Sequence, residues 1–357
     1  MKLLYLPNES LPNWQMGARV ALKRLQELGI LSELEIFSFL QRPPTTALAE
    51  ILSLAQRLEP DVILFTKIDK FPVTASWFDA LKAVRSTPLI AYYDADIYGR
   101  VFKRFTPQMA IMSRYADEVF LCGLGSNAQL FESNGAKSIS LCPHSASLRQ
   151  FGSDWTPTPD RKFDVVLIGN RIQSRLGLLN HVRWGRMPGA FDREALVRRL
   201  GSVFGKRFAV FGRGWDGFPG NHGTVPFDRQ LEILRSSWIS VGYEHFPGTP
   251  FYFSDRLPIA LLSGVAHAVH FHPGYDILFG NGCELLWADS PEQLVDVVHF
   301  ALSMGPAFLD ELGKRGREFA LARLTADVAY GNMIQALVAA RSSATKRTSD
   351  EPPERES

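Results

Sequence analysis

Almost the whole chain alternates between short apolar runs, rich in β-branched and aromatic residues, and longer stretches in which Ala, Leu and Val recur every three or four positions. The short runs have the length and composition of buried strands, and the longer ones the period of a helix with one apolar face. Strand, helix and strand in succession predict a parallel sheet, because a parallel neighbour needs a long return connection and a helix supplies it. Strands are expected at 2–6, 34–39, 61–66, 88–93, 118–121 and 138–142, with helices at 17–28, 46–58 and 74–84.

The alternation breaks once, at 151–162, where Gly152, Pro157 and Pro159 stand among Ser, Thr and Asp. It restarts with strands at 164–168, 208–211, 239–243, 266–271 and 284–287 and helices at 191–204, 227–236, 254–262, 291–303 and 306–324. At 357 residues the chain is long for one domain. The expected division is an N-terminal Rossmann-like domain (1–150), a linker (151–162), a C-terminal Rossmann-like domain (163–325), a helix (326–341) packing back on the first domain, and a polar, disordered tail (342–357). The fold class is thus α/β, two doubly wound domains facing a cleft, and such sheets bind ligands beyond the carboxyl ends of their strands.

Composition narrows the function. Cys122, Cys142 and Cys283 are too few and too scattered for a disulfide framework or a zinc site, and a reducing cytoplasm suits them. His270 and His272 lack a Cys or acidic partner at ligand spacing, so no metal is expected. No apolar stretch is long enough to span a bilayer, and Met1 to Leu6 reads as a strand and not a signal peptide. The net charge of +2 hides a basic segment, 161–207, with eleven Lys or Arg against Asp164, Asp192 and Glu194. That surplus suits a phosphate-bearing ligand, the anionic inner face of a membrane, or nucleic acid, and equally a solvated helix face. No nucleic-acid-binding module accompanies it.

Four turns after C-terminal strands could carry chemistry. In Gly169-Asn170-Arg171, running on to Arg175, the glycine admits backbone amides to an anion and arginine pairs with phosphate oxygens, though a plain strand-to-helix turn looks the same. Gly212-Arg213-Gly214-Trp215 repeats the pattern and adds an indole that stacks on a base, walls a pocket or is simply buried. After the strand ending at Tyr243 come Glu244 and His245, then Ser254-Asp255-Arg256 at a helix start, where free amides and Arg256 attract phosphate. Ser254 is the better ligand there, since Asp255 would repel a phosphate and is left to orient Arg256. His245 is either a catalytic pocket group or an ordinary loop histidine. The fourth turn, His272 to Asp276, brings Tyr275 and Asp276 to the same rim. In the N-terminal domain Asp94 and Asp96 end the fourth strand, where a carboxylate can orient an acceptor hydroxyl or take its proton.

With these turns in place the chain resembles the GT-B glycosyltransferases, in particular the CgeB-like spore-maturation group and family 4. The likeness runs from Ala116-Asp117-Glu118-Val119 through Asn134-Gly135-Ala136 to Leu141-Cys142-Pro143, then through Gly169-Asn170, Gly212-Arg213-Gly214-Trp215, Phe253-Ser254-Asp255-Arg256-Leu257 and Gly274-Tyr275-Asp276, in the family's order. It implies a sugar donor of the UDP, GDP or dTDP type, held by Gly169, Asn170, Arg171, Gly212, Arg213, Gly214, Trp215, Ser254, Asp255, Arg256, Tyr275 and Asp276, with no cofactor and no metal. Asp94, Asp96 and His245 are the catalytic candidates. The Asp-x-Asp at 94–96 is also the spelling of the metal-nucleotide motif of the GT-A fold, but the two α/β repeats favour the metal-independent type.

One departure stands out. Family 4 carries glutamates in an E-x(7)-E arrangement whose second member holds the donor ribose, and here those positions are Phe251 and Ile259. The CgeB-like Arg-Leu-Phe-Glu is likewise Arg256-Leu257-Pro258-Ile259, which leaves Glu244 as the candidate replacement. The expected function is sugar transfer to a hydroxyl of a glycan, lipid-linked or protein acceptor, with retention favoured. A nucleotide-sugar epimerase or hydrolase on the same scaffold, and a catalytically silent assembly protein of a surface-polysaccharide system, stay open.

Overall fold

The computed structural model describes residues 1–11, 15–99, 103–173 and 186–350. Its first half comprises β1 (Lys2–Leu6), α1 (Met16–Glu27), β2 (Glu33–Ile36), α2 (Pro44–Leu58), β3 (Val62–Thr66), α3 (Ala75–Lys82), β4 (Leu89–Asp94), α4 (Pro107–Tyr115), β5 (Glu118–Leu121), α5 (Ser126–Glu132) and β6 (Ile139–Leu141). The six strands form one parallel sheet in the order β2-β1-β3-β4-β5-β6. β3 is buried from end to end, as a central strand covered on both faces must be.

After α6 (Leu148–Phe151) the second half comprises β7 (Phe163–Ile168), α7 (Ala190–Phe204), β8 (Phe208–Phe211), α8 (Gln230–Arg235), β9 (Ser237–Gly242), α9 (Arg256–Leu262), β10 (Ala266–His270), α10 (Tyr275–Leu278), β11 (Leu286–Ala288), α11 (Pro291–Ser303), α12 (Pro306–Arg323) and α13 (Ala326–Asp350). Its parallel sheet has the order β11-β10-β9-β7-β8. Strand order therefore reverses between β1 and β3 in one sheet and between β7 and β9 in the other. Outgoing connections part to opposite faces at such a point and leave a crevice.

Local chemistry explains several helix starts. Thr74, Thr106 and Ser290 each accept, through the side chain, the amide three residues on, and Pro107 and Pro291 stand where a missing N–H costs nothing. Two further helices, α4 and α5, are short and weakly periodic, and strand-helix alternation did not mark them individually. α9 starts two residues later than 254, because the amide and hydroxyl of Ser254 are taken by Glu244. α8 begins at Gln230 after a single 3-10 turn, Phe227–Arg229.

Each sheet has its own core. Leu4, Leu6, Ile63, Phe65 and Ile90 pack under α2 to α5, while Leu3, Tyr5, Val62 and Leu64 on the opposite face meet α1 and α13. α13 brings Tyr330, Met333, Ile334 and Leu337 to that face, so the last helix crosses back onto the first domain. In the second sheet Val165, Leu167, Val210 and Ile239 pack against α7 and α11. The two passages between domains lie side by side: Ala146 donates to the Leu324 carbonyl and accepts from Ala326, both at 3.0 Å. α13 runs on to Asp350, so residues 342–350 continue the helix where a disordered tail was expected, and 351–357 lie outside the described residues.

Candidate functional site

At the C-terminal switch point Gly169 follows β7 with φ +154° and Gly212 follows β8 with φ +144°. A Cβ on Gly212 would run into the Gly169 carbonyl, and one on Gly169 into Nη2 of Arg193, 3.4 Å from Cδ of Arg256. Glycine is thus required for both conformation and space, and its bareness lets two arginines flank one turn. The turns are tied together: Gly169 N–H donates to Phe211 O at 2.8 Å, Arg171 N–H to Arg213 O at 2.9 Å, and Arg213 N–H to Asn170 Oδ1 at 2.9 Å.

Arg193 rises from α7 and is 2% exposed. Its Nη1 donates to His245 Nε2 at 3.0 Å, and its Nε finds no partner among the described residues. Burial, with repulsion from Arg256, pushes its pKa down to about 9 against the pull of Glu244. Arg256 pairs with Glu244 Oε2 at 3.1 Å, while Glu244 Oε1 accepts the Ser254 hydroxyl at 2.7 Å and its amide at 3.2 Å. Burial alone would raise Glu244, but Arg256, the Ser254 hydrogen bond and the surrounding positive groups outweigh it and hold it at about 2. His245 and His272 are kept neutral, at about 3 and about 4, chiefly by burial. Arg256 has Glu244 as its ion-pair partner and Asp255 beside it, whereas Arg193, the more deeply buried of the two, forms no ion pair among the described residues. An anion with several oxygens supplies one.

A cavity of about 510 Å³ opens beside this cluster, lined by Gly169, Asn170, Gly212, Arg213, Asp255 and Arg256 and, at its outer end, by Thr224, Val225, Phe227 and Gln230. Those first six are residues the sequence singled out, and the structure brings them together. The others stand apart from it. Arg171 is committed to Glu194 at 2.7 Å and the Gly214 carbonyl at 3.3 Å, so it braces the turn and is not free for phosphate. Gly214 is the left-handed residue beneath that brace. Trp215 is 1% exposed and donates to Gly169 O at 2.7 Å, a wall under the turn and not a stacking platform. Ser254 is spent on Glu244, against its expected role as a phosphate ligand. Tyr275 is fully buried and donates to Tyr252 O at 3.2 Å, while Asp276 is exposed away from the cavity. His245 accepts from Arg193 and orients it, which does not suit a proton shuttle. Arg175 lies outside the described residues.

Arg193 escaped the sequence reading, yet it left a signal. It sits at i−3, i−4 and i−7 to Leu196, Val197 and Leu200, all buried on α7, and so occupies a core position of an amphipathic helix. A charge at such a position needs a reason.

In the N-terminal domain Asp94 is buried and accepts from Tyr92 Oη at 2.5 Å, Tyr98 Oη at 2.9 Å and the Asp96 amide at 3.0 Å. Burial, with repulsion from Asp96, lifts it to about 7. Asp96 is ion-paired to both Lys67 and Lys103, and burial notwithstanding, the two lysines hold it below its ordinary value. Both carboxylates are thus already engaged within the described residues, Asp94 by two tyrosines and Asp96 by two lysines.

Most of the described arginines of the basic segment are paired or interior. Arg161 pairs with Asp310, Arg171 and Arg186 share Glu194, Arg199 meets Glu292 and Arg207 meets Asp164, while Arg193 is interior. Among the described residues Lys162, Arg198 and Lys206 remain exposed without an acid partner. No cluster of three or more His, Cys, Asp or Glu able to hold a metal occurs among the described residues, and no helix of theirs is long and apolar enough to cross a membrane.

Two doubly wound parallel domains, bridged by adjacent crossovers and closed by a final helix on the first, define the GT-B class. Solved structures share that architecture: the Anabaena protein HepE in complex with UDP and glucose, 13% identical, TM-score 0.59, over 95% of this chain and 100% of that one; sucrose-phosphate synthase from Thermosynechococcus elongatus, 12%, 0.60, over 95% and 100%; and α,α-trehalose 6-phosphate synthase from Burkholderia multivorans, 10%, 0.59, over 99% of each. At these identities the likeness establishes the fold. By sequence, residues 193–335 match the family described as glycosyl transferase-like, and the fold is that of the GT-B glycosyltransferases. No curated protein sequence matches it.

Proposed function

We propose that the protein transfers a sugar from a nucleoside-diphosphate donor to a hydroxyl acceptor, with the diphosphate seated at Gly169 between Arg193 and Arg256. The observation that carries this is the buried, acid-free guanidinium of Arg193 beside Arg256 at the switch point. Burying a cation without a counter-charge is unfavourable unless a ligand supplies one. The nucleoside lies along the cavity toward Thr224, Val225 and Gln230, and half-exposed Phe227 offers a ring face for the base.

As the glycosidic bond breaks, negative charge gathers on the departing diphosphate. Fixed guanidinium groups in a water-poor site stabilise that charge without having to reorganise. Asp94 is enclosed and Asp96 is held by two lysines, which leaves no free carboxylate at the expected base position and supports a retaining course. The two arginines supply the cationic stabilisation of the leaving group, so the reading is metal-independent. The acceptor hydroxyl belongs to a glycan, a lipid-linked or a protein acceptor.

A thermal-shift panel of nucleoside diphosphates and their sugars tests the proposal, because a ligand that binds only the folded state raises Tm. At least one nucleoside diphosphate should raise it, and Arg256→Ala should weaken that response without unfolding the protein. An unresponsive panel would favour a silent assembly protein. Rapid epimer formation or hydrolysis of the responding donor, with no transfer to any acceptor, would replace the transferase reading.

A further inference from the structure

A second cavity lies behind the joint between the domains. Edge strand β6 and helix α13 leave a slot of about 260 Å³ that shares no lining residue with the donor cavity. Both passages between the domains border it, Pro143 to Ser145 on one and Arg323 and Leu324 on the other, beside the bonds that join Ala146 to Leu324 and Ala326.

The floor of the slot is apolar. Phe120, Leu324 and Met333 reach it with nearly all of their surface buried, and Leu141, Pro143 and Ala329 are half-buried along its sides. Water there gains no strong hydrogen bond from the floor, to which Cys142 adds only a weakly polar thiol. Charge is one-sided: among the described residues lining the slot, Arg323 is the only Lys or Arg, and none is acidic. Arg323 is exposed, its guanidinium rests over the Phe319 ring at 5.6 Å, and it forms no ion pair among the described residues.

We infer that the slot binds a short acyl chain ending in a carboxylate, with the chain on the apolar floor and the carboxylate at Arg323. At about 30 Å³ for a group the size of a water molecule or a methylene, the space takes roughly eight of them. A chain placed there covers Phe120, Leu324 and Met333, and its head group gives Arg323 the planar, two-oxygen partner that a guanidinium pairs with best. An amine in the same place meets a like charge. Because the bound chain touches both passages, it fastens the joint between the domains without entering the donor cavity. The inference does not depend on the donor reading above.

Calorimetric titration of the full chain with butanoate, hexanoate, octanoate and decanoate tests it. Affinity should rise roughly two- to fourfold with each added methylene up to octanoate and level off at decanoate. Octylamine, a cation at neutral pH, should bind at least tenfold more weakly than octanoate. Ala336→Phe puts a ring into the slot from an exposed position on α13, so octanoate affinity should fall at least tenfold while Tm of the unliganded protein is unchanged. Arg323→Gln should lower octanoate affinity at least threefold and narrow its margin over octylamine. Octanoate binding no more tightly than butanoate, or octylamine binding as tightly as octanoate, overturns the inference. So does octanoate affinity that either variant leaves unaltered, which would put the chain elsewhere on the protein.

Discussion

Glu244 shows how one side chain can hold a site together without touching the ligand. Its carboxylate fixes Arg256 and the start of α9 through Ser254. Because its folded pKa of about 2 lies below the ordinary 4.5, its contribution to stability is present above about pH 4.5 and is lost as pH falls through about 2. Glu244→Gln should therefore be less stable than wild type at pH 7, by roughly 3 kcal/mol for a broken buried pair. Urea titrations should show that deficit shrinking below pH 4, and a pH-independent deficit would refute the charge pairing. Asp94 has the opposite sign. Its folded pKa of about 7 lies above the ordinary 3.8, so the folded state loses stability from this group as pH rises from about 4 through about 7. Asp94→Asn should gain on the wild type between pH 5 and pH 8, and parallel curves would show that Asp94 is ionised throughout. The same two residues mark what could be read in advance. Asp94 was visible as a carboxylate at a strand end, but not its enclosure by Tyr92 and Tyr98, which depends on how a loop four residues on folds back. Glu244 was visible as a replacement for the missing glutamate, but its pairing with Arg256 was not.

At the scale of elements, all eleven strands lay where short apolar runs placed them, because buried parallel strands admit little else. Helix ends were legible where a capping residue or proline marked them, as at α11, and shifted where a tertiary contact intervened, as at α9. The cluster around Gly169 was half legible. A glycine after a strand is readable, whereas the arrival of Arg193 from a helix between the two turns requires the sheet order. Gly169→Ala tests that convergence. An added methyl meets the Arg193 guanidinium at a backbone conformation that side chains rarely adopt, so the side chain must move; UDP affinity should fall at least tenfold and Tm should fall with it, and unaltered affinity and Tm would show that the turn tolerates a side chain.

For the whole molecule, the sequence indicated two domains and a returning helix, and a basic segment several of whose described arginines folding pairs with acids. Among the described residues of 161–207, Arg161 and Arg199 meet Asp310 and Glu292 from elsewhere in the chain, partners that a local charge sum misses. α13 covers one face of the first sheet with Ile334 and Leu337 fully buried, each side chain contributing roughly 1.5–3 kcal/mol. A chain ended at Leu324 should lose cooperative unfolding of the first domain by near-UV circular dichroism, and retention of a single native-like transition would contradict the dependence on α13.

The central claim, that a diphosphate neutralises the buried charge of Arg193, is tested most directly by calorimetric titration of UDP or the best-responding nucleoside diphosphate into wild type and Arg193→Met. Methionine fills the space and removes the charge, so the unliganded variant should be as stable as wild type or more so, while affinity for the diphosphate falls at least tenfold. Equal affinities in the two proteins would contradict the account.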